Sequence, residues 1–365
     1  MLSCSEKTPT KVFDELADST TVGAAKFLII PKPEFTNTDE VIVNTGASPL
    51  LYLGQADGKA SSFAMKFLGL PDSTGVITEA KLVLKSRAFF GTPGGILTAS
   101  VHEIKKNWQE RELTSNGISA EFFDPVPLGN LTFAAADSDT VIISFDAELV
   151  NRWIALPDSE RFGVLVRPDG AFALQLFNSS EALDEQPKIQ LFHEDSTIAN
   201  PLEFFATEDV FVFEVLNEPA DGPLYIGNGL EHKSIIRFNL SAIPDEATIN
   251  RARLIMKIDT TNSFLSPTDG FTFGAERLLE EISNLAASVD SLVTSNSIFP
   301  LSTTLGVVDS SRTLTINLNN QIQEWTAGRQ DNLGLILMTR TPGRDLYRIA
   351  LYAATQDTLN APKLE

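Results

Sequence analysis

The sequence predicts an all-β protein made of two tandem, jelly-roll-like antiparallel β-sandwiches, each with one short helix. Two observations carry this prediction: the second half of the chain repeats the first, and apolar residues in both halves alternate with a period of two. Many short apolar runs are separated by turn residues, without the strand–helix rhythm of a parallel sheet.

The internal repeat is displaced by about 172 positions, the separation of Trp153 and Trp325. Because the matches stay in register over a whole half, they indicate a duplicated domain. The matching segments are Leu51-Tyr52-Leu53-Gly54 with Leu224-Tyr225-Ile226-Gly227, Ile77 to Lys85 with Ile249 to Lys257, Gly163-Val164-Leu165-Val166 with Gly334-Leu335-Ile336-Leu337, and Pro187-Lys188-Ile189 with Pro362-Lys363-Leu364.

Strands are predicted where apolar residues cluster or alternate. Ala80, Leu82 and Leu84 are expected to face inward. The residues that alternate with them are mostly charged and are expected to face outward. The predicted strands include Ser62 to Leu68, Val76 to Lys85 and Thr140 to Phe145, with Ser234 to Leu240 and Thr313 to Leu318 in the second unit.

One short helix is predicted in each unit, at about residues 147–155 and 319–327, where the apolar spacing changes to three and four. Trp153 and Trp325 occupy the inner face of these helices and are expected to anchor the two cores. Phe67 and Phe238, on repeated strands, are expected to be core residues as well.

The repeat divides the chain into an N-terminal tether at residues 1–20, a first sandwich at 21–198 and a second sandwich at 205–365. Asn200-Pro201 is a turn signal within the short connection. A connection of this length predicts two domains held in a restricted relative orientation.

Charge excludes one class of partner. The chain has 365 residues and a formal net charge of −20, and its longest basic run is Lys105-Lys106. Nucleic acid is therefore not expected as a partner, since phosphate binding requires clustered cations. No apolar stretch approaches the ~20 residues of a membrane-spanning helix, so membrane contact is expected only through a lipid anchor.

Cys4 is the only cysteine, which excludes an intramolecular disulfide. Its setting, Met1-Leu2-Ser3-Cys4-Ser5-Glu6-Lys7, resembles the end of a bacterial lipoprotein signal peptide and is followed by a polar stretch. The resemblance implies lipidation of Cys4 and a location at the cell envelope or extracellular surface. The alternative is an incidental thiol, since the charged and apolar regions of a signal peptide do not precede it in this numbering.

The order of motifs resembles a known family. A Leu-Tyr-Leu-Gly strand is followed by Ile77-Thr78-Glu79-Ala80-Lys81-Leu82, then Asn107-Trp108-Gln109-Glu110, a helix with Trp153, and a closing Pro-Lys strand. This succession resembles the DNRLRE domain, a jelly-roll β-sandwich related to carbohydrate-binding module family 96. The resemblance covers residues 21–194 and 206–365 and implies an exported, non-catalytic domain, some members of which bind glycans. The second unit departs from it, because it lacks a counterpart of Trp108 and diverges between Phe264 and Leu305.

Catalysis is not expected. His102, His193 and His232 lie at unrelated positions of the repeat, without metal-ligand spacing, and are expected at the surface or at strand ends. Asp137 and Asp139 lie in a turn that can donate oxygens to Ca²⁺, which makes a structural calcium the one cofactor considered. The alternative for this pair is a solvated turn.

Trp108, with Lys105 and Asn107 beside it, is the candidate platform for stacking a sugar ring, although the resemblance implies a buried, structural position for this tryptophan. We therefore expect a non-catalytic protein that binds a polysaccharide or another surface protein, in a carbohydrate-binding or adhesive role. Two alternatives stay open. One is a structural subunit or spacer of a self-assembling surface structure, pairing through edge strands. The other is an accessory subunit of a polysaccharide-degrading system.

Overall fold

The computed structural model describes residues 26–56, 58–70, 75–91, 94–136, 139–171, 173–195, 197, 201–217, 222–264, 271–279, 302–306, 312–355 and 357–365. Strands dominate this part of the chain, and the sheets are antiparallel and curled. The predicted all-β class is confirmed. The predicted tether at residues 1–20 lies outside the described residues.

The described strands and helices follow in chain order. They are β1 Phe35–Ile42, β2 Leu50–Ala56, β3 Lys59–Lys66, β4 Ile77–Gly91, β5 Ile96–Glu103, β6 Gly129–Ala134, β7 Thr140–Phe145, α1 Ala147–Ile154, β8 Val164–Ala171, β9 Ala173–Asn178, β10 Lys188–His193, β11 Leu202–Phe205, β12 Glu208–Val215, β13 Leu224–Asn228, β14 Leu230–Arg237, β15 Arg253–Phe264, β16 Phe271–Arg277, β17 Ser302–Gly306, β18 Thr313–Asn317, α2 Asn319–Thr326, β19 Leu335–Thr339, β20 Tyr347–Leu351 and β21 Lys363–Leu364.

One sandwich is formed by residues 44–217, and we call it the inserted sandwich. Its first sheet has the order β12-β3-β8-β5-β6. Its second sheet runs β2-β9-β4-β7, with β10 beside β4 and β11 beside β10, and an antiparallel pairing of β2 with β3 joins the two sheets. Along β4, Ala80, Leu82 and Leu84 are buried, so the period of two seen in the sequence becomes one face of the core.

The other sandwich combines the described residues of 26–43 with those of 222–365, and we call it the split sandwich. Its sheets have the orders β1-β14-β19-β16-β17 and β13-β20-β15-β18, with β21 beside β15. Strand by strand, these are the orders of the inserted sandwich, as expected for a duplicated domain.

The two halves exchange their first strands. Within the repeat, β1 corresponds to β12 and β3 corresponds to β14, yet β1 pairs with β14 over eight residues and β12 pairs with β3 over eight residues. The segments before these strands follow the same rule, because Ile30 bridges Leu364 while β11 pairs with β10. We call residues 30–42 the N-terminal arm and residues 202–215 the central arm.

Strand pairing groups the residues differently from the sequence repeat. Residues 21–198 and 205–365 describe the sequence repeat, but strand pairing divides the chain at residues 43–44 and 217–222, because each repeat gives its arm to the other sandwich. Strand β11 lies largely within the predicted connection, and β12, which follows it, was placed in the second predicted sandwich; both complete the inserted sandwich.

Side chains explain why each arm occupies its own place. In the inserted sandwich, Phe211 of β12 lies opposite Phe63, and both rings are fully buried. At the equivalent position of the split sandwich, Thr38 of β1 lies opposite Ser234, and their hydroxyl oxygens are 2.7 Å apart. An arm in the wrong sandwich would set a phenylalanine against a buried hydroxyl, and a threonine against a core phenylalanine.

Four predicted core residues lie in or beside the two cores. Trp153 and Phe67 are buried in the core of the inserted sandwich, and Phe238 is buried in that of the split sandwich. Trp325 is half-buried and packs against the second core from its rim. Asp146 caps α1 by accepting a hydrogen bond from the backbone N of Glu148 at 2.9 Å, which fixes the helix that carries Trp153.

The sandwiches also touch through side chains. Leu346 of the split sandwich is buried in the core of the inserted sandwich. The rings of Phe90 and Phe264 stack with their centroids 4.4 Å apart, and the Tyr52 hydroxyl donates to Asp345 Oδ1 at 3.2 Å. Exchanged strands and packed side chains thus join the two sandwiches into one interlocked unit.

Candidate functional site at the exchange seam

Trp108 lies on the outer face of the first sheet of the inserted sandwich. Only 5% of its surface is exposed, and its Nε1 donates to the backbone O of Phe162 at 2.8 Å. The loop after β5 folds over this face, and Trp108, Leu113 and Phe122 cover Val210 of the central arm together with neighbouring residues of the sheet. The ring is not available as a stacking platform, and the burial implied by the family resemblance is what the structure has.

The exchange seam is the line along which residues 105–113 close over the start of β12. Lys66 occupies its centre: its Nζ lies 4.6 Å from the centroid of the Trp108 ring, donates to the Trp108 backbone O and pairs with Glu208 at 2.9 Å. The backbone N of Glu110 also donates to Glu208, at 3.3 Å. Since Glu208 belongs to the central arm, these contacts lock the exchanged strand in place.

Lys105 and Asn107 stay on the surface. Lys105 pairs with Glu103 at 2.5 Å and with Asp124 at 3.3 Å, and the hydrogen bond that its ammonium donates to Glu103 raises the pKa of Lys105. Asn107 is exposed. With Trp108 turned inward, these two polar side chains have no aromatic face between them.

Three carboxylates converge at the seam, and the sequence did not indicate them. Ligand oxygens of Glu110, Glu181 and Asp209 lie within 4.8 Å of one another. Each carboxylate also accepts a hydrogen bond: Glu110 from the backbone N of Asp209 at 3.0 Å, Glu181 from Ser179 Oγ at 2.9 Å, and Asp209 from the backbone N of Ser180 at 2.7 Å.

Burial controls the charge of this cluster. Desolvation raises the pKa of Asp209 well above its usual range, and repulsion from Glu181 adds to the shift. Desolvation likewise raises the pKa of Glu110. Carboxylates at this spacing can share a proton or contact a hard cation. Because backbone amides and a hydroxyl already donate hydrogen bonds to these carboxylates, proton sharing is the simpler description.

The cluster was missed because its members come from three segments that are distant in sequence. Asp209 directly precedes the apolar run of β12 and stands next to Glu208, so nothing local distinguishes it from an ordinary acid at the beginning of a strand. Recognising the cluster requires knowing that β12 is a strand of the inserted sandwich, which the repeat alone does not predict.

Two predicted sites are not tested. Asp137 lies outside the described residues, so the distance between the two predicted calcium ligands is not defined. Asp139 is exposed, and its backbone O accepts a hydrogen bond from Ser86 N at 2.8 Å. Cys4 also lies outside the described residues, and its lipidation stays a prediction.

The three histidines are buried, contrary to the expectation of surface positions, although His193 does end a strand. The ring nitrogens of His102 lie 2.7 Å from the backbone O of Asp124 and 2.9 Å from Ser100 Oγ. Burial, with repulsion from nearby cations, lowers the pKa of His232 to about 3. These rings are therefore enclosed by other residues of the fold and do not face solvent.

Comparison with known proteins gives no family assignment, because no family model matches the chain and no curated protein shows significant similarity to it. The likeness to the DNRLRE domain therefore stays a prediction. Among the described helices, neither is long and apolar enough to cross a membrane.

Proposed function

We propose that this protein is a non-catalytic adhesive head of the cell envelope, which binds a polysaccharide or another surface protein while attached through its N-terminal tether. The observation that carries the proposal is the reciprocal exchange of arms. An eight-residue strand pairing holds each arm in the sandwich of the other repeat, so the chain crosses between the sandwiches twice, and packing of Leu346, Phe90 and Phe264 adds to these two connections. A preorganised body of this kind binds without first losing internal freedom.

The position of the two chain ends supports a head more than a spacer. The backbone N of Ile30 donates to Leu364 O at 2.8 Å, and the backbone N of Leu364 donates to Ile30 O at 3.0 Å. The described chain therefore enters and leaves at neighbouring points of the split sandwich. A spacer transmits distance between its ends, whereas this arrangement holds the inserted sandwich away from both.

The absence of catalysis is part of the proposal and is supported by side-chain placement. The three histidines are buried, and the carboxylates of the exchange seam hold backbone amides and hydroxyls of the fold. A head of this type needs surface complementarity to its partner and no reactive group.

Adhesion can be tested in the orientation that the tether imposes. Because Cys4 is the only cysteine, its thiol can be coupled to maleimide beads. We expect such beads to be retained under flow on at least one class of polysaccharide-coated or protein-coated surface. Cysteine-blocked beads give the background, and the Cys4→Ser chain, coupled at random through amines, is the matched control for orientation and should be retained less.

Failure has a defined meaning. If oriented beads detach from every surface as readily as blocked beads, the adhesive role is wrong. If, in addition, light scattering shows that the free protein self-associates, a structural subunit of a surface assembly is the better description. Hydrolysis of any of the polysaccharides by the purified chain would overturn the non-catalytic assignment.

A further inference from the structure

Three consecutive apolar side chains project from the beginning of the described chain. Phe27, Leu28 and Ile29 are 75%, 40% and 45% exposed. The next residue, Ile30, packs against the core of the split sandwich and forms two backbone hydrogen bonds with Leu364. The run is thus fixed to the folded body at its base, and its exposed side chains are displayed from a defined place.

The charges around this run differ in sign from the chain as a whole. Lys26 and Lys32 flank it, are exposed, and form no ion pair with any residue that the structure describes. Neighbouring carboxylates are already neutralised, since Glu34 pairs with Arg237 at 2.8 Å and Glu365 pairs with Arg253 at 2.9 Å. A locally cationic, apolar segment therefore stands on a protein whose formal net charge is −20.

The run also lies a few residues after the predicted tether, which ends at residue 20. Between Cys4 and Lys26, an extended chain would reach roughly 70–80 Å, at about 3.3–3.6 Å per residue. A lipid on Cys4 would then keep the head near a bilayer without fixing its distance or orientation. Any fixed orientation needs a second contact, and the exposed run lies where the tether meets the fold.

We propose that residues 26–32 form a membrane seat, which places Phe27, Leu28 and Ile29 in the interfacial region of an anionic bilayer and Lys26 and Lys32 at its phosphates. Apolar side chains bind at this depth together with cations that reach the headgroups, and one weak contact becomes effective when a lipid supplies the other. This inference rests on the proposed envelope location and makes the split sandwich the membrane-proximal one.

The test uses the whole chain, coupled through Cys4 to a maleimide lipid in vesicles of phosphatidylethanolamine and phosphatidylglycerol. Phe27→Trp supplies a fluorescent reporter, read after subtraction of the parent chain's three tryptophans, with a doxyl-labelled lipid as quencher. The matched control is Val126→Trp, at a 69% exposed position in the loop before β6. We expect vesicles to shift the emission of the Phe27→Trp reporter to the blue and doxyl lipid to quench it, while the control stays unquenched.

Charge reversal separates the lysine contribution. With Phe27→Trp in place, Lys26→Glu and Lys32→Glu should each weaken the seated state by roughly 25-fold, because each reversal removes one attractive charge, which accounts for about 5-fold, and adds a repulsive one. Replacing phosphatidylglycerol by phosphatidylcholine should have a similar effect, which identifies anionic headgroups as the contact.

Several outcomes would overturn the seat. Quenching equal to that of the control would mean that the run stays in water. Blue-shifted emission without vesicles, and no doxyl quenching with them, would mean that the run is covered by other residues of its own chain, or by a second copy if the shift depends on concentration. The bead assay contains no lipid, so the triple variant Phe27→Ser, Leu28→Ser, Ile29→Ser should adhere like the parent chain, and adhesion and seating can fail independently.

Discussion

The strand exchange predicts which fragment of the chain folds by itself. Residues 44–217 contain every strand of the inserted sandwich, including the central arm, and should fold as an isolated fragment. Residues 21–198 match one sequence repeat but lack β11 and β12. This second fragment should be unfolded or molten, although its length and composition are similar.

The magnitude follows from what β12 buries. Val210 and Phe211 are 0% exposed, Phe213 is 4% exposed and Val212 is 9% exposed. Burying side chains of this size contributes about 1.5–3 kcal/mol each, so the strand contributes roughly 6–12 kcal/mol before entropy and denatured-state burial are subtracted. Whole domains are stable by about 5–15 kcal/mol, so loss of β12 removes most of that stability.

The N-terminal arm, present in the 21–198 fragment, is a poor substitute for β12. In the inserted sandwich, the rings of Phe211 and Tyr52 pack with their centroids 4.8 Å apart. In the equivalent register, the N-terminal arm would place Thr38 at the position of Phe211. The 44–217 fragment loses contacts from the split sandwich, among them the packing of Phe264 and Leu346 and the hydrogen bond from Tyr52 to Asp345, so it should be less stable than the intact protein but still cooperative.

Urea unfolding followed by near-ultraviolet circular dichroism distinguishes the fragments, because both contain Trp108 and Trp153 and both tryptophans are buried in the intact protein. We expect a single cooperative transition for residues 44–217 and a weak, non-cooperative signal for residues 21–198. A third fragment, residues 21–217, controls for the added N-terminal residues and should behave like 44–217. The reasoning is refuted if residues 21–198 unfold cooperatively with the same midpoint as residues 44–217.

Three further predictions concern single residues. Because burial raises the pKa of Asp209, its neutral form favours folding; that advantage is full below the unfolded value of about 3.9 and is lost as pH rises through the folded pKa. Asp209→Asn should therefore be about 1–2 kcal/mol more stable than the parent at pH 7 and equal to it near pH 4, by urea titration in EDTA; equal stabilities at pH 7 would contradict this. Trp108→Ala should cost about 3–5 kcal/mol in thermal or urea unfolding, yet leave bead adhesion unchanged below the transition; lost adhesion with the fold intact would restore a binding role for Trp108. Gly343→Ala should destabilise more than Gly328→Ala in the same assay, because both glycines have positive φ but only at Gly343 would a Cβ lie 2.1 Å from a backbone oxygen, that of Asn44; equal losses would refute the close approach.

Sequence reasoning reached the fold class and the strand content because both depend on local pattern. The alternation around Ala80, Leu82 and Leu84 predicts a strand with one buried face, and β4 has that face, although it continues to Gly91 instead of ending near Lys85. The helices were found for the same reason, since the spacing around Trp153 and Trp325 changes within a few residues. Period and spacing can be read from neighbours in sequence.

Partner choice between strands could not be read in this way. The repeat aligns β1 with β12, and an aligned pair is expected to fill the same role within its own unit. An alignment of the two repeats does not show whether a strand pairs with the partner strand of its own repeat or with that of the other repeat. For the same reason the carboxylate cluster was missed, because Asp209 approaches Glu110 and Glu181 only when β12 pairs with β3.

The sequence nevertheless holds the information that selects the exchange, in the pairs that face each other across each seam. A duplicated domain begins with two equivalent arms and two equivalent places, so the exchanged and unexchanged pairings start with equal energy. Here Phe63 faces Phe211 in the inserted sandwich, and Ser234 faces Thr38 in the split sandwich. In the unexchanged form, each sandwich would bury a hydroxyl against an aromatic ring. Both mismatches therefore destabilise the unexchanged form. Divergence at this facing pair therefore favours the exchanged pairing of the two first strands over the unexchanged one.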